Sequence, residues 1–411
     1  MSGAKPQTVE PMRLDSGFKL SNSPVSSHDP SQLQPAVSGD GRGPVRPGVY
    51  EFERLDDTLP AAGLGQQTQG ALLGGGQRTP GAGCANGGAV GPDGGRRSHK
   101  FPNFNQAVGP GAYLWWYVDA ISDDGQYALS IIAFVGSVFS PYYARAFAKH
   151  GAAVDAQNHC AINVALYGPG SRWAMTERGT GSVARSNDQL VIGPSQLKWT
   201  GDHLQIDLNE VSVPIPKRVL GTVRVYPDAL CNYSNALDDQ GKHRWGPIAP
   251  CARVEVDLQK PGLKWQGHAY LDSNDGDEPV TIPFKTWDWS RARMADGSTA
   301  VIYDVTQTSG ALTLLAERFK PDGSWESFTP AKKREQLPPT LWRIDRGVRA
   351  DATAPSRVID TLEDTPFYAR SLLQTSLLGE QVTAVHETLQ PQRLNHLPVR
   401  LMLPWRMPRR A

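Results

Sequence analysis

Cysteine is scarce in this chain. Four cysteines occur in 411 residues, no two of them form a CxxC pair, and the spacing between them is wide. This pattern excludes a disulfide-rich scaffold and predicts reduced thiols in a cytosolic protein. A disulfide between Cys231 and Cys251 remains the alternative if the protein is exported.

An excess of charge of one sign is also missing. Lys and Arg total 42 against 41 for Asp and Glu, which leaves a formal net charge of +1. Without a basic field over the protein, nucleic acid is not expected as a partner. Basic residues do cluster locally, at Arg96-Arg97 and again near the end of the chain, at Arg400, Arg406, Arg409 and Arg410.

Long hydrophobic runs and familiar catalytic motifs are absent as well. The first residues lack the apolar core of a signal peptide, and the longest apolar stretch, residues 128–139, is short and broken by Ser and Gly. We therefore expect a soluble or peripheral protein. No nucleophile elbow, dinucleotide fingerprint or HExxH zinc motif occurs, and we predict no metal.

The chain changes character near residue 101. Residues 1–100 are rich in Gly, Pro, Ser and Gln, which predicts a disordered tail. After it come many short segments of aromatic and β-branched residues separated by turn pairs. Residues 113–119 and 127–135, for example, flank Asp123-Asp-Gly125, a hairpin signal. This pattern predicts an all-β antiparallel sandwich or barrel.

Helical patterns are few. Residues 141–150 form the best candidate, with an expected end at Gly151. Residues 357–362 and 371–378 are weaker candidates for a turn or two of helix.

Chemistry concentrates in residues 265–276, which read as a strand that enters a tight turn. Alternate side chains of a strand share a face, so His268, Tyr270 and Asp272 should form one row, with Trp265 nearby in sequence. An acid in this aromatic setting suits protonation of a substrate without polar groups. The alternative is an aspartate that only caps the Asp-Ser-Asn-Asp-Gly turn.

Three further pairs of residues are candidates for a functional site, and each also has a purely structural interpretation. His243 and Trp245 lie among Gly and Pro residues, which predicts a loop that either carries function or places a surface histidine. Trp287 and Trp289 share one strand face, either as packing or as a pocket wall. His386 and Glu387 are discounted as a catalytic pair, because neighbouring strand residues face opposite ways.

The sequence resembles the carotenoid 1,2-hydratases, or hydroxyneurosporene synthases, of purple photosynthetic bacteria. Four segments carry this resemblance: residues 134–143, 243–245, 265–276 and 403–409. That family is similar to a wider group of two-barrel, lipocalin-like proteins. The resemblance implies two consecutive lipocalin-like antiparallel β-barrels, at residues 101–280 and 281–411. It also implies addition of water across the terminal C1=C2 bond of an acyclic carotenoid such as neurosporene or lycopene, with no cofactor.

The family's activity is ascribed to a His, a Trp, a Tyr and an Asp, which match His243, Trp245, Tyr270 and Asp272. Asp272 would then be the acid, and His243 or Tyr270 would hold the attacking water. Four residues nearby are expected to contact the substrate: Trp265, His268, Trp287 and Trp289.

A carotenoid is dissolved in a membrane, so we expect a cytoplasmic enzyme that rests on the membrane surface through residues 401–410. A strand that closes the second barrel is the alternative for that segment. Rival functions are a non-catalytic carotenoid or lipid carrier and a terpenoid isomerase or cyclase. A glycosidase built on Asp272 with Asp275 or Asp277 is weakest, because those acids sit on one turn.

Overall fold

The fold comes from a computed structural model that describes residues 102–352 and 354–410. The predicted disordered tail, residues 1–100, lies outside the described residues. The rest is dominated by antiparallel strands, which confirms the all-β class.

The first half of the described chain supplies twelve strands. They are β1 (Tyr113–Ser122), β2 (Ala128–Val135), β3 (Cys160–Tyr167), β4 (Arg172–Arg178), β5 (Val183–Arg185), β6 (Gln189–Ile192), β7 (Ser195–Trp199), β8 (Leu204–Val211), β9 (Arg218–Pro227), β10 (Asn235–Ala236), β11 (His243–Lys260) and β12 (Leu263–Gly276).

The second half supplies ten more. They are β13 (Phe284–Arg293), β14 (Thr299–Gln307), β15 (Leu312–Phe319), β16 (Trp325–Ser327), β17 (Glu335–Gln336), β18 (Gly347–Val348), β19 (Arg357–Asp364), β20 (Tyr368–Leu377), β21 (Glu380–Leu389) and β22 (Arg409–Arg410). Two α-helices, α1 (Pro141–His150) and α2 (Leu397–Arg406), are accompanied by short 3₁₀ turns at Gly151–Ala153, Ala156–Asn158, Thr180–Ser182 and Pro391–Asn395.

The first sheet runs in the order β4-β3-β2-β1-β12-β11-β9-β8-β7-β6-β5, with β10 beside β11 and β22 beside β4. It curls far enough that β4 contacts β8 and β3 contacts β6. Its concave side encloses an aliphatic core that includes Leu129, Ile131 and Val223. A curled, barrel-like first half is the lipocalin-like feature that the resemblance implies.

The second sheet runs in the order β16-β15-β14-β13-β21-β20-β19, and β17 and β18 form a separate two-stranded ribbon. The change from one sheet to the other falls between Gly276, the end of β12, and Phe284, the start of β13. A second core, rich in aromatic residues, includes Tyr117 and Tyr270 of the first sheet and Trp289 and Tyr303 of the second. The two sheets therefore share one aromatic layer.

A buried ion cluster also joins the sheets. Asp119 of β1 forms ion pairs with Arg291 of β13 and with Arg370 of β20, 3.2 Å away, and all three side chains are almost fully buried. Opposite charges buried together are favourable only while every partner is present. This cluster fixes the register of one sheet on the other.

Several local expectations are confirmed. Residues 123–125 connect β1 and β2, with Gly125 at φ +69°, a conformation that favours glycine. Helix α1 ends before Gly151, whose φ is +59°. Cys231 and Cys251 are free buried thiols, so the alternative disulfide is not formed.

The two weaker helix candidates are wrong. Residues 357–362 lie in β19 and residues 371–378 fall largely in β20, where both segments pair with neighbouring strands. Tertiary pairing overrides a short helical pattern in such segments.

The end of the chain does not form a strand that closes the second barrel, which was the alternative for this segment. Most of residues 397–410 form α2, and the short β22 then runs parallel to β4 of the first sheet. Arg409 anchors this return through an ion pair with buried Glu177. Within the described residues, no helix combines the length and apolarity needed to cross a membrane.

Candidate functional site

Asp272 lies on β12, where it stands opposite Tyr117 of β1 and Pro247 of β11. Its side chain is 2% exposed. The indole Nε1 of Trp245 and the hydroxyl of Tyr270 each donate a hydrogen bond to its Oδ2, both at 2.8 Å. Its other oxygen, Oδ1, is buried without a protein partner. The two carboxyl oxygens therefore have different environments.

Burial raises the pKa of Asp272 to about 8. The hydrogen bonds from Tyr270 and Trp245 oppose this rise, while the negative charges of Glu387 and Asp119 add to it. Asp272 is therefore mostly a neutral acid at pH 7. Because Oδ2 already accepts two hydrogen bonds, the acidic proton belongs on Oδ1.

The two donors to Asp272 are themselves held firmly. Trp245 and Tyr270 are both fully buried. The ring of Trp245 packs on Tyr303 with centroids 4.8 Å apart, and the ring of Tyr270 packs on Trp289 at 5.4 Å. Burial keeps the pKa of Tyr270 well above its usual value, so its hydroxyl remains a donor. The acid is thus fixed in one orientation.

Asp272 opens onto an internal cavity of about 1100 Å³ including its open side. Both sheets and α2 contribute to it, and most of its wall is aromatic or aliphatic. It is lined by Trp115, Tyr117, Ser130, Ile132, Phe134, Phe139, Asn163, Trp173, Met175, Asp272, Asn274, Trp287, Trp289, Tyr303, Glu363, Thr365, Phe367, Tyr368, Glu387, Leu389, Met402, Leu403, Arg406 and Met407. Such a space suits a long apolar ligand.

Apart from His243, the residues predicted to be catalytic or to contact the substrate divide into three groups. Asp272, Trp287 and Trp289 line the cavity. Trp245 and Tyr270 stand behind the wall and hold Asp272. Trp265 and His268, which are predicted to contact the substrate, lie outside the cavity lining.

Trp265 and His268 lie away from the cavity because β12 is long and only its second half, at Asp272 and Asn274, reaches the cavity wall. Trp265 stacks on Tyr127, with centroids 6.4 Å apart, against the core of the first sheet. His268 lies between Arg253 and Arg293, with a ring nitrogen 3.2 Å from each guanidinium. Burial together with these arginines lowers the pKa of His268 to about 4. The row that begins at His268 reaches the cavity only at its far end.

His243 is buried but does not line the cavity. Its Nδ1 lies 2.8 Å from the Tyr113 hydroxyl, and its Nε2 has no hydrogen-bond partner. Burial lowers the pKa of His243, so the ring is neutral. Tyr113 in turn stacks on Trp115, which does line the cavity, with centroids 4.9 Å apart. His243 therefore reaches the cavity wall indirectly, through Tyr113 on one side and on the other through Phe284, which packs on Trp287.

The predicted loop at His243 and Trp245 is wrong, because both residues lie at the start of β11. Pro247 and Pro250 are tolerated there because the register with β12 shifts twice, between Pro247 and Ala249 and between Ala249 and Ala252. Such bulges accommodate prolines that a regular strand would exclude.

A second acidic group in the cavity escaped the sequence interpretation. Glu387 of β21 lines the cavity, whereas His386 points away and lies 3.0 Å from the Gly347 carbonyl. His386 and Glu387 do not form a catalytic pair, since neighbouring strand residues face opposite ways. The same alternation, however, should have left Glu387 as a candidate by itself.

Two other expectations concern alternative chemistries. Within residues 102–352 and 354–410, no cluster of three or more His, Cys, Asp or Glu side chains could hold a metal ion. Asp275 and Asp277 both pair with Arg244, at 2.6 and 2.7 Å. Neither of them lines the cavity onto which Asp272 opens, so neither faces Asp272 across that cavity as the second acid of a glycosidase would.

Comparison with known proteins gives a consistent result. The carotenoid hydratase CrtC family matches residues 131–411. The acyclic carotenoid 1,2-hydratase of Rubrivivax gelatinosus is 58% identical over 384 residues, which cover 93% of this chain and 94% of that protein. The enzyme of the same name from Thiocapsa roseopersicina is 52% identical and covers 93% of both chains.

Among solved structures, kievitone hydratase from Nectria haematococca is similar over 72% of this chain and 95% of its own, with 9% identity and a TM-score of 0.44. A similarity at this level supports no conclusion about function. The family match and the two relatives do support one, since each covers most of the sequence and the family match includes Trp245, Tyr270 and Asp272. This chain belongs to the carotenoid hydratase CrtC family.

Proposed function

We propose that this protein is a hydro-lyase that adds water across the terminal C1=C2 bond of an acyclic carotenoid, with Asp272 as the acid. The observation that carries the proposal is a buried carboxyl, on a residue that lines an aromatic cavity, with a pKa of about 8 and one oxygen, Oδ1, without a hydrogen-bond partner. The relatives named acyclic carotenoid 1,2-hydratase support the choice of substrate.

The reaction begins with proton transfer from Asp272 Oδ1 to C2, the less substituted carbon of the alkene. A tertiary carbocation forms at C1, and attack by water on C1 then gives the tertiary alcohol. Water itself is far too weak an acid to protonate an alkene at neutral pH, so a positioned, still protonated carboxyl is required. No step in this sequence calls for a cofactor.

The cavity wall suits the cationic intermediate. Trp287, Trp289 and Tyr303 offer electron-rich rings that do not react with a carbocation. Each ring face contributes about 1–2 kcal/mol of cation–π stabilisation in a site without bulk water. The remaining aliphatic wall binds the polyene by burial of apolar area, which is the main source of affinity for such a substrate.

His243 receives a different role from the one first expected. Its ring is outside the cavity lining, so direct contact with the attacking water has no support. We assign it as a positioning residue that holds Tyr113, and through Tyr113 the cavity residue Trp115.

We also propose that the enzyme works at a membrane surface through α2. Three large apolar side chains on one side of this helix, Leu397, Leu401 and Trp405, are 65%, 60% and 75% exposed. Met402 and Leu403 of the same helix line the cavity. With exposed Arg400 alongside, α2 has the apolar and basic composition that binds an anionic bilayer.

The experiment that tests the function uses the purified protein with lycopene in detergent and no added cofactor, in ¹⁸O-labelled water. We expect a hydroxylated product that carries the label. The Asp272→Asn variant should lose hydration by at least about 1000-fold while it still quenches its tryptophan fluorescence with the polyene. Unlabelled rearranged products would favour an isomerase or cyclase, and binding without conversion by the wild type would favour a carrier.

A further inference from the structure

Glu387 stands out as a carboxylate that the mechanism above does not use. It lines the same cavity as Asp272 but belongs to the second sheet, where it pairs in register with Trp289 of β13 and Arg370 of β20. Its side chain is 17% exposed, whereas Arg370 is 1% exposed. The cavity therefore has an acid from each sheet, and the two differ in their partners.

Those partners hold the Glu387 carboxyl in one orientation. Its Oε1 forms an ion pair with Arg370 Nη1 and accepts a hydrogen bond from the Tyr117 hydroxyl at 2.7 Å. Arg370 and Tyr117 are in turn held by Asp119, at 3.2 and 2.9 Å. Burial raises the pKa of Glu387 while Arg370 and Tyr117 lower it. A buried carboxylate of raised basicity beside a fixed cation is suited to accept a proton.

A short series of contacts connects the two acids. Tyr117 donates to Glu387, its ring lies 6.3 Å from that of Tyr270, and Tyr270 donates to Asp272. Glu387 is also one of the two carboxylates whose charge raises the pKa of Asp272. The remaining cavity acid, Glu363, accepts its hydrogen bond from Tyr167. Glu387 is therefore the cavity-lining carboxylate that this series of contacts connects to Asp272.

We propose that Glu387 binds the attacking water in the cavity and accepts its proton. This inference rests on the proposed hydration. Once Asp272 has protonated C2, a lone pair of water forms the C–O bond to C1, one O–H bond of that water breaks, and its proton passes to the Glu387 carboxylate. Asp272 is then a carboxylate and Glu387 a carboxylic acid. Return of the proton to Asp272 after product release closes a cycle that consumes only water.

The test is the Glu387→Gln variant, which keeps the shape of the side chain and one acceptor oxygen for Tyr117 and Arg370 but cannot accept the proton. Hydration of lycopene should fall by about 100-fold or more, with unchanged tryptophan quenching by the polyene. In D₂O the variant should still transfer deuterium to C2 and lose a proton back, so that recovered lycopene becomes deuterated. The matched control is Glu380→Gln on the same strand, whose carboxylate accepts from the Ala295 amide outside the cavity and whose loss should leave hydration intact.

Two results would overturn the assignment: hydration by Glu387→Gln at the wild-type rate, or loss of deuterium exchange together with hydration while binding is intact. If Glu387→Gln does not fold, Glu387→Asp retains the charge, and its ratio of deuterium exchange to hydration should rise above that of the wild type. An unchanged ratio contradicts the proposal. Failure of the hydratase function itself is recognised separately, because the wild type would then neither hydrate lycopene nor exchange deuterium into it.

Discussion

At the scale of single residues, the site depends on the difference between the two oxygens of Asp272. Oδ2 accepts hydrogen bonds from Trp245 and Tyr270, and Oδ1 accepts none. A carboxylate in this position would leave a buried, unpaired negative oxygen, which is costly, whereas a carboxylic acid places its proton there. Burial of the carboxyl raises its pKa, and the unpaired oxygen is the atom that would donate the proton.

This arrangement has a cost in stability that depends on pH. In the unfolded chain Asp272 ionises near its ordinary pKa of about 3.9, whereas the folded protein retains the proton up to about pH 8. Between those values the unfolded state is favoured progressively, by on the order of 4 kcal/mol at pH 7.

Asp272→Asn removes this penalty and can still accept both hydrogen bonds. We expect the variant to have a higher free energy of unfolding than the wild type at pH 7 and about the same value at pH 4, as measured by urea denaturation. A variant that is equally destabilised at both pH values would mean that Asp272 is ionised in the folded protein.

The sequence indicated Asp272 as the candidate acid, but it did not predict which other residues line the cavity around it. The two-residue alternation of β12 placed Tyr270 and Asp272 on one face, and both contact each other as a strand geometry requires. It could not show that the cavity ends before His268, because that depends on how a second sheet packs on the first. Glu387 is 115 positions away from Asp272 in sequence. Only the tertiary fold brings its strand to the same cavity.

At the scale of secondary-structure elements, α2 is the least expected feature. Pro404 lies inside it and Pro408 follows it, and proline within a helix disfavours helical structure. The helix forms because Val399 and Leu403 are buried on the protein side, while the 3₁₀ turn Pro391–Asn395 leads into it. The same packing leaves Leu397, Leu401 and Trp405 exposed. An element with one side in the cavity and one apolar side in solvent suits a route from bilayer to active site.

Replacement of Trp405 by Glu should therefore weaken binding to vesicles that contain anionic lipid by about tenfold or more, because it replaces an apolar membrane contact with a charge. The measurement is co-sedimentation with the vesicles. The matched control is Ile215→Glu, since Ile215 is 66% exposed but lies on the turn between β8 and β9. Equal loss of vesicle binding in both variants, or in neither, would argue against α2 as the contact surface.

At the scale of the whole molecule, catalysis requires that the two sheets keep one relative position. Asp272 comes from the first sheet, and Glu387, Trp287 and Trp289 come from the second. The alternation of short strands and turns predicted the all-β class, since it reports local backbone preference. The aromatic layer between sheets could not be predicted, because Trp115 and Trp287 look alike as packing or as cavity wall until their neighbours are known.

The buried Asp119 cluster is the clearest connection between the sheets. Asp119→Ala would leave Arg291 buried without its carboxylate partner and Arg370 with Glu387 alone. We expect a loss of about 3–5 kcal/mol in the free energy of unfolding, measured by chemical denaturation. Asp207→Ala, at a half-buried carboxylate confined to the first sheet, should cost far less. Similar losses in the two variants would contradict a special role for the cluster.

The most direct test of the account is infrared difference spectroscopy of the wild type against Asp272→Asn across the pH range 5 to about 9. If Asp272 is a neutral acid, the wild type has a carbonyl stretch of a protonated carboxylic acid at pH 7 that the variant lacks, and that band disappears with a midpoint near pH 8. Absence of the band at pH 6, with only an ionised carboxylate assigned to Asp272, would contradict the proposed acid and with it the proposed hydration mechanism.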